Sequence, residues 1–390
     1  MEAKDEKLII QIDDEQIKYV VFQADEKLEY KILLKKSSFN SGIFRGKITD
    51  LNGSIKIVGR DLKEIETELN KVFTKVLVVT NQEDTLCTNL TGFKKLNRSK
   101  VEKRDLDYIL NEGKSAIKKS QKKHSIIHIL NSNFILDKKK RNKIPLDIFG
   151  DHLSLHMTFI SIPKNSLEKI NALFEANDIK IERIIHKTFA SGIDLISNKQ
   201  NLKNFILVNF DKELSSISLY ENSSLIFLKT FPFGTNSIYK DIIKLCSLDI
   251  EEAKSIIQEL DFENFLDPNI KNLHLKKNSI TQIKNIVSAR IEEMTNYVFN
   301  KNKNLTHFDK ESSYIYLLFE DKNISNKFGN FFQKTLKLDP KKISPIRFDI
   351  DEFSIFKGAA ELIFKGWHQE ALPQAHKKKS IISSFFSRFF

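Results

Sequence analysis

The chain has 390 residues, 41% of them apolar, with 63 Lys and Arg against 51 Asp and Glu and a net charge of +12. That length supports two or more domains with cores of their own, and no apolar run reaches the roughly 20 residues that a transmembrane helix needs. Two cysteines, Cys87 and Cys246, exclude a disulfide framework and read as packing residues in a reducing compartment.

The opening MEAKDEKLIIQI is charged and runs directly into a strand pattern, which does not suit a signal peptide. Leu8 to Ile12 and Ile17 to Phe22 are β-like runs around a polar centre and predict a hairpin. Helical spacing follows over Leu62 to Phe73, then a strand over Val76 to Thr80. Asp105 to Lys119 reads as a helix. Ser125 to Leu130 and Phe134 to Asp137 read as two strands paired across Asn131, and Leu153 to Ile162 as another strand. Leu167 to Asn177 is an amphipathic helix with Ile170, Leu173 and Phe174 on one side, and Ile179 to Ile185 is a strand. A second cycle begins with a hairpin, Phe205 to Phe210 with Ser216 to Tyr220, and a third strand, Leu225 to Thr230. Helices are predicted over Ser237 to Leu245, Glu251 to Leu260, Ile280 to Phe299, Asn326 to Leu336 and Phe353 to Lys365, with a strand at Tyr314 to Phe319. A β-hairpin heading each of two α/β halves implies a duplicated, cleft-forming architecture.

The last fourteen residues, KKKSIISSFFSRFF, carry the clearest functional pattern. At about 100° per residue, Ile381, Ile382, Phe385, Phe386, Phe389 and Phe390 share one helical face. Serines and Arg388 take the other face, and Lys377, Lys378 and Lys379 stand directly upstream. A short apolar face beside a cationic cluster suits a lipid–water interface. The preceding QEALPQAHKKK, Gln369 to Lys379, is polar and broken by Pro373, and reads as a flexible link. The net charge admits nucleic acid or an anionic membrane. The lysine clusters at Lys118–Lys123 and Lys138–Lys143 have no zinc-finger spacing or aromatic-basic RNA motif beside them, so the membrane surface fits and nucleic acid does not. His124 with His128, and His152 with His156, lie on strands, where positions four apart are too distant for one zinc; no metal site is expected.

The order of segments resembles the bacterial cell-division protein family FtsA, of the actin/Hsp70 superfamily. SGIFRGKITDL, Ser41 to Leu51, resembles the family's "GI.kG.I.D.." segment. IIHILNSNFILD, Ile126 to Asp137, resembles the "vlHviPq.y.lD" strand pair of its inserted subdomain, and IPLDIFGDHL, Ile144 to Leu153, resembles "nP.Gm.G..L". Leu167 through Ala190 and Ser191 resembles the helix, strand and "aslAs" turn that follow. FPFGTNSIYKDIIKL, Phe231 to Leu245, resembles "vp.GG..iT.Dia..l". Glu251 to Lys254 stands at the "AE..K" helix, and SARIEEM, Ser288 to Met294, resembles "..aR.eEi". The amphipathic tail is a further family feature.

The resemblance implies an actin-like two-half α/β fold with an FtsA-type, SHS2-like insert and a C-terminal amphipathic helix. It implies subdomain 1A over 1–82 and 159–200, the inserted subdomain 1C over 83–158, and 2A over 201–236 and 309–345. Subdomain 2B would span 237–308, a return helix 346–368, the linker 369–379 and the membrane helix 380–390. The family binds ATP on glycine-rich phosphate loops, and here the sequence departs from it. The first loop, D-I-G-T/S-x-K in the family, reads Gln11, Ile12, Asp13, Asp14, Glu15, Gln16. Like charges at 4 Å cost about 1 kcal/mol even in water, so the three acids oppose a polyphosphate; they read as a solvated acidic turn, with a held Mg²⁺ as the alternative. The second loop reads Asn209, Phe210, Asp211, Lys212 and onward without glycine, Gly234 remains in the following turn, and the adenosine loop reads Phe319, Glu320, Asp321. A degenerate nucleotide cleft, no bound cofactor and no ATPase activity are therefore expected, with an active actin-type ATPase as the alternative. As partners the resemblance implies the FtsZ C-terminal tail docking around Ile238 to Phe299, where Arg290 and Glu293 lie, and the anionic inner membrane at mid-cell. It further implies other division proteins on the insert, and self-association. An i,i+3 ion pair is the plain alternative for Arg290 and Glu293. A pilus-assembly actin-like scaffold shares the insert but lacks this tail.

Overall fold

The computed structural model describes residues 5–14, 16–25, 29–141, 143–199, 202–259, 277–300, 302, 305, 314–335, 343–345, 354–367 and 370–371. They divide into two units, one of residues 1–204, 218–229 and 353–390, the other of 205–217 and 230–352. The whole tail, Lys377 to Phe390, lies outside the described residues, as does Glu15.

The first unit begins with β1 (Asp5–Asp13) and β2 (Gln16–Ala24), antiparallel with Asp13 opposite Gln16, as the hairpin pattern predicts. β3 (Tyr30–Phe39) continues the sheet; β4 (Ile43–Phe44) and β5 (Lys47–Ile48) form a small ribbon. Helix α1 (Leu51–Leu69) starts where the Asp50 side chain accepts the Gly53 N–H and ends on left-handed Asn70. Both are ordinary helix ends, an acidic N-cap and an αL terminator. The helix therefore begins eleven residues before the predicted Leu62, because Gly53 and Gly59 interrupt its apolar spacing. β6 (Lys75–Thr80) runs parallel to β1, and the sheet order is β11-β6-β1-β2-β3 with β11 at Lys180–His186. Leu8, Ile9, Ile10 and Ile12 are all buried, as expected for a central strand covered on both faces.

The insert follows β6. β7 (Leu86–Lys100), α2 (Lys103–Ser120), β8 (His124–Leu136), β9 (Lys139–Arg141) and β10 (Phe149–Pro163) make a sheet of order β7-β10-β8-β9. Asp105 accepts the Glu102 N–H at 2.7 Å in a capping box that starts α2. Ile109, Leu155, Met157 and Phe159 anchor a core of the insert's own. The predicted strand pair at Ser125–Leu130 and Phe134–Asp137 is instead one strand, β8. Its register against β10 slips at Asn131–Asn133, so a bulge absorbs the polar Asn-Ser-Asn and no turn forms. The chain returns through α3 (Lys164–Glu175), β11 and α4 (Lys187–Asn198).

Next come β12 (Phe205–Phe210), β13 (Ser215–Glu221) and β14 (Ser224–Phe231), in a sheet of order β14-β13-β12-β15-β16 with β15 (Tyr314–Phe319) and β16 (Ile343–Pro345). The second unit's helices are α5 (Asn236–Cys246), α6 (Ile250–Glu259), α7 (Lys277–Thr295) with a π-turn over Asn296–Asn300, and α8 (Lys322–Thr335). Phe210, Phe319 and Phe332 pack ring to ring at its centre, with centroids 4.6 to 5.1 Å apart. Helix α9 (Ser354–Phe364) belongs to the first unit and packs on α4.

The polar composition of Gln369 to Lys379 reads as a flexible link, but its described beginning is fixed. Glu370 is 5% exposed, its carboxylate bonded to the Arg183 guanidinium and 2.8 Å from His128 Nδ1. The Ala371 N–H donates to the Ile129 carbonyl at 2.7 Å.

Candidate functional site

Each position that the sequence assigns to a nucleotide loop can be followed within its own unit. At the β1–β2 turn, Asp13 and Asp14 are buried, so the reading of a solvated acidic turn fails for both. Lys187, at the start of α4, reaches Asp13 Oδ2 at 2.8 Å; Gln11 Nε2 donates to the same oxygen at 2.6 Å, and the Asp14 N–H donates to Oδ1 at 3.0 Å. Burial alone would raise the Asp13 carboxyl; the charges of Lys187 and Lys18 and these hydrogen bonds outweigh it and hold Asp13 below the usual carboxylate value. Asp14 Oδ1 accepts the Gly46 N–H at 3.3 Å. Gly46 has φ +69 and sits so close to the chain that a Cβ would lie 1.6 Å from the Asn81 carbonyl, so the glycine of SGIFRGKITDL is a close-packing requirement.

In the second unit the Asp211–Leu214 turn is closed by its own neighbours. The Asp211 N–H donates to the Leu214 carbonyl at 2.9 Å. The Thr235 and Asn236 N–H groups, opening α5, donate to the Asp211 and Lys212 carbonyls at 2.9 Å each. A Cβ on Gly234 would lie 2.3 and 2.4 Å from those two carbonyl oxygens. The Lys212 N–H is taken by Glu320 Oε2 at 3.3 Å, and Glu320 N–H donates to the Phe210 carbonyl at 3.0 Å. Asp321 caps α8 by accepting the Asn323 and Ile324 N–H groups at 2.8 and 3.0 Å, and accepts the Tyr239 hydroxyl at 2.9 Å.

A polyphosphate needs backbone N–H donors and a cation. In this chain the first turn offers a carboxylate already paired with its lysine, and Gly234 faces carbonyl oxygens. A side-chain carboxylate occupies the Lys212 N–H where a phosphate oxygen would bind. In the second loop the side-chain amide of Asn209, with neither atom hydrogen-bonded, and the Ser215 hydroxyl are buried without a partner and would welcome a ligand. Near the first turn the orphaned Gln11 Oε1 and Gln82 Oε1 are acceptors and would repel one, whereas the orphaned Thr80 hydroxyl, level with Ile12, can donate. These residues do not fit a phosphate-loop nucleotide.

Arg290 and Glu293 do form an ion pair along α7, at 2.6 Å, but Arg290 also holds Asp241 of α5 through two nitrogens. That bidentate link ties the two helices together. Among the described residues no cluster of His, Cys, Asp and Glu could hold a metal ion, and no helix is long and apolar enough to cross a membrane. Sequence reasoning missed Lys187 because its partner lies 174 positions away and a lysine opening a helix carries no signal of burial.

Residues 83–161 match the SHS2 domain inserted in FTSA. The chain is 24% identical to the cell division protein FtsA of Helicobacter pylori over 153 residues, 38% of this chain and 31% of that protein. It is 18% identical to FtsA of Borreliella burgdorferi over 287 residues, 70% of this chain and 69% of the relative. FtsA of Bacillus subtilis is 20% identical over 270 residues, 66% and 61% of the two chains. The matched region thus spans less than a third of the Helicobacter relative and about two thirds of the Borreliella one. Among solved structures, the PilM–PilN type IV pilus biogenesis complex shares the fold with a TM-score of 0.60 at 12% identity, covering 91% of this chain and 97% of that one. The ethanolamine utilization protein EutJ from Carboxydothermus hydrogenoformans does so with 0.51 at 12% identity, covering 91% and 89%. Insert, segment order and fold agree with the resemblance read from the motifs: the chain has an actin-like fold and is a relative of the FtsA cell-division proteins.

Proposed function

We propose that this chain is an FtsA-like division adaptor that joins FtsZ filaments to the cytoplasmic face of the inner membrane at mid-cell, and that it does so without nucleotide. The observation that carries the reading is the similarity to FtsA through the insert and over most of the chain, together with the apolar–basic end KKKSIISSFFSRFF. The insert is the surface for other division proteins and for self-association, and the helices between Ile238 and Phe299 are the surface for the FtsZ tail.

The energetics of the end suit a reversible tether. Burying six large apolar side chains gives roughly 9–18 kcal/mol gross, while ordering about ten residues costs on the order of 1–2 kcal/mol each. The net for one copy is modest, and linking copies in a filament raises it through effective concentration. Asp13–Lys187, the Gly234 packing and Glu320 on the Lys212 N–H support a nucleotide-independent adaptor with no ATPase activity.

The test is co-sedimentation with FtsZ filaments and anionic liposomes, with and without ATP. The full chain should pellet with each partner irrespective of ATP, and deletion of Ser380 to Phe390 should release it from liposomes. Unchanged pelleting of the truncated chain, or no association with FtsZ, rejects the reading.

A further inference from the structure

One end of the inserted sheet gathers cations around two exposed apolar side chains. Ile148 and Phe149, at the start of β10, are 40% and 65% exposed. Phe149 stands opposite Lys100 of β7, whose Nζ lies 5.5 Å from the ring centroid, and the Val101 N–H donates to the Ile148 carbonyl at 3.0 Å. On the other side of β10 the β8–β9 turn closes onto the same place. Asp137 accepts the Asp151 and His152 N–H groups at 2.9 and 2.8 Å, and a Cβ on Gly150 would lie 2.4 Å from Leu136 Cδ1. The turn residues Asp137 and Lys138 both have positive φ, 49° and 67°, which sharpens the hairpin. Exposed Lys138, Lys139 and Arg141 of that hairpin therefore share an end of the sheet with exposed Arg98 and Lys100. Four acids lie nearby: Glu102, which follows Val101 and pairs with Arg104 at 2.7 Å, and three aspartates. Asp137 is committed to backbone N–H groups, Asp151 sits 3.9 Å from Arg98, and Asp147 lies in the segment leading to β10; Lys140 is paired with Glu221 at 2.8 Å.

We propose that this end of the insert is a second contact with an anionic lipid surface, with Ile148 and Phe149 entering the headgroup region and the cations meeting the headgroups. Exposed apolar side chains ringed by Lys and Arg are the arrangement such a surface binds. A second copy of this chain, at net +12, brings no complementary charge, and neither does the basic end at Lys377–Lys379. Single-stranded nucleic acid is held by successive stacked rings, whereas the other exposed rings described in the insert, Phe93 and Tyr108, lie opposite Ser154 and beside Lys94, five and six residues along the strands from Phe149 and Lys100. The position suits a two-point attachment. The chain reaches Ala371 beside Ile129, and Leu136 lies seven residues further along β8, roughly 23 Å at 3.3 Å per residue. Ile381 is ten residues beyond Ala371 and can lie up to about 33 Å from it, so both contacts can meet one surface.

The proposal builds on the membrane-tether reading, and its test separates the two. Full-length protein is titrated with phosphatidylglycerol–phosphatidylcholine vesicles and with phosphatidylcholine vesicles. Three variants are compared: Phe149→Ser with Lys138→Asn and Lys139→Gln; Phe385→Asp with Phe389→Asp; and all five changes together. The patch sites are exposed, and an unchanged melting temperature verifies folding. The patch variant should bind the anionic vesicles about tenfold or more weakly, with the neutral vesicles little affected, and the combined variant should bind worse than either. A patch variant that binds like wild type, with the combined variant no worse than the tail variant, overturns the proposal and leaves the tail reading standing. A tail variant that binds like wild type while the patch variant fails rejects the tail and keeps the patch. A patch variant with intact vesicle binding but lost affinity for an acidic peptide or for DNA assigns the surface to another anionic partner and also overturns the proposal.

Discussion

His128 and His186 form a buried chain whose proton positions follow from geometry. The His186 N–H donates to His128 Nε2 at 3.0 Å, so that nitrogen is an acceptor and the neutral ring carries its proton on Nδ1, donating to Glu370 at 2.8 Å. The Thr188 N–H in turn donates to His186 Nδ1 at 3.3 Å. Burial, with the charges of His128 and Lys187 adding to it, pushes His186 down to about 3; burial also lowers His128, against the pull of Glu370. The unfolded chain takes up these protons near pH 6.5 and the folded chain does not. Stability is therefore full above about pH 6.5 and falls as the pH drops from there toward 3, by up to about 1.4 kcal/mol per pH unit for each proton. Asp194, raised to about 6 by burial, opposes this between about pH 4 and 6, but it is one group against two. Urea midpoints at pH 6.5, 5.5 and 4.5 should decline in that order, and more steeply in Asp194→Asn. A flat profile would mean that the two rings do not stay neutral in the fold. Sequence spacing placed His128 correctly on a strand, but its partners lie 58 and 242 positions away, beyond the reach of any local pattern.

Helices α4 and α9 meet where small residues let their backbones approach. A Cβ on Gly358 would lie 2.0 Å from the Ala190 carbonyl oxygen and 2.9 Å from the Asp194 nitrogen. Both obstacles are backbone, which cannot turn aside, so Gly358→Ala forces the helices apart. Overpacking of this kind costs about 1–3 kcal/mol, which lowers the melting temperature by roughly 2–4 °C per kcal/mol in a unit of this size. An unchanged melting temperature would show that the pair separates freely. The same elements show what a sequence reveals. β1, β2 and β12 to β14 were legible because apolar or alternating runs with turn residues between them leave few alternatives. α4, KTFASGIDLISN, was visible only as a turn, since eight of its twelve residues are buried and the polar Lys187, Thr188 and Ser191 are among them. β7, LCTNLTGFKKLNRSK, was missed because an edge strand with mixed polarity lacks the strand signature. β8 was divided in two because Asn-Ser-Asn spells a turn locally, while pairing with β10 along its length overrides it.

At the scale of the molecule, the missing loop glycines were legible and their replacements were not. Composition could say that the phosphate loops had lost glycine. It could not say that Lys187 neutralises Asp13 in one unit, or that Glu320 takes the Lys212 N–H in the other. The two replacements share a chemistry, a protein carboxylate standing where a phosphate oxygen would be held, and each has its hydrogen bonds without a ligand. A nucleotide would have to displace a buried ion pair and leave Asp13 uncompensated, a loss of about 3–5 kcal/mol when one partner of such a pair is removed. Binding should therefore be undetectable at physiological concentrations. Thermal unfolding with and without 1 mM Mg-ATP decides the point. A ligand present at 100 times its Kd stabilises the folded state by about 2.7 kcal/mol, so a Kd near 10 μM would raise the melting temperature by several degrees. The expected shift is none within error. A clear rise would mean that the Asn209 amide and its neighbours accept a nucleotide by another route.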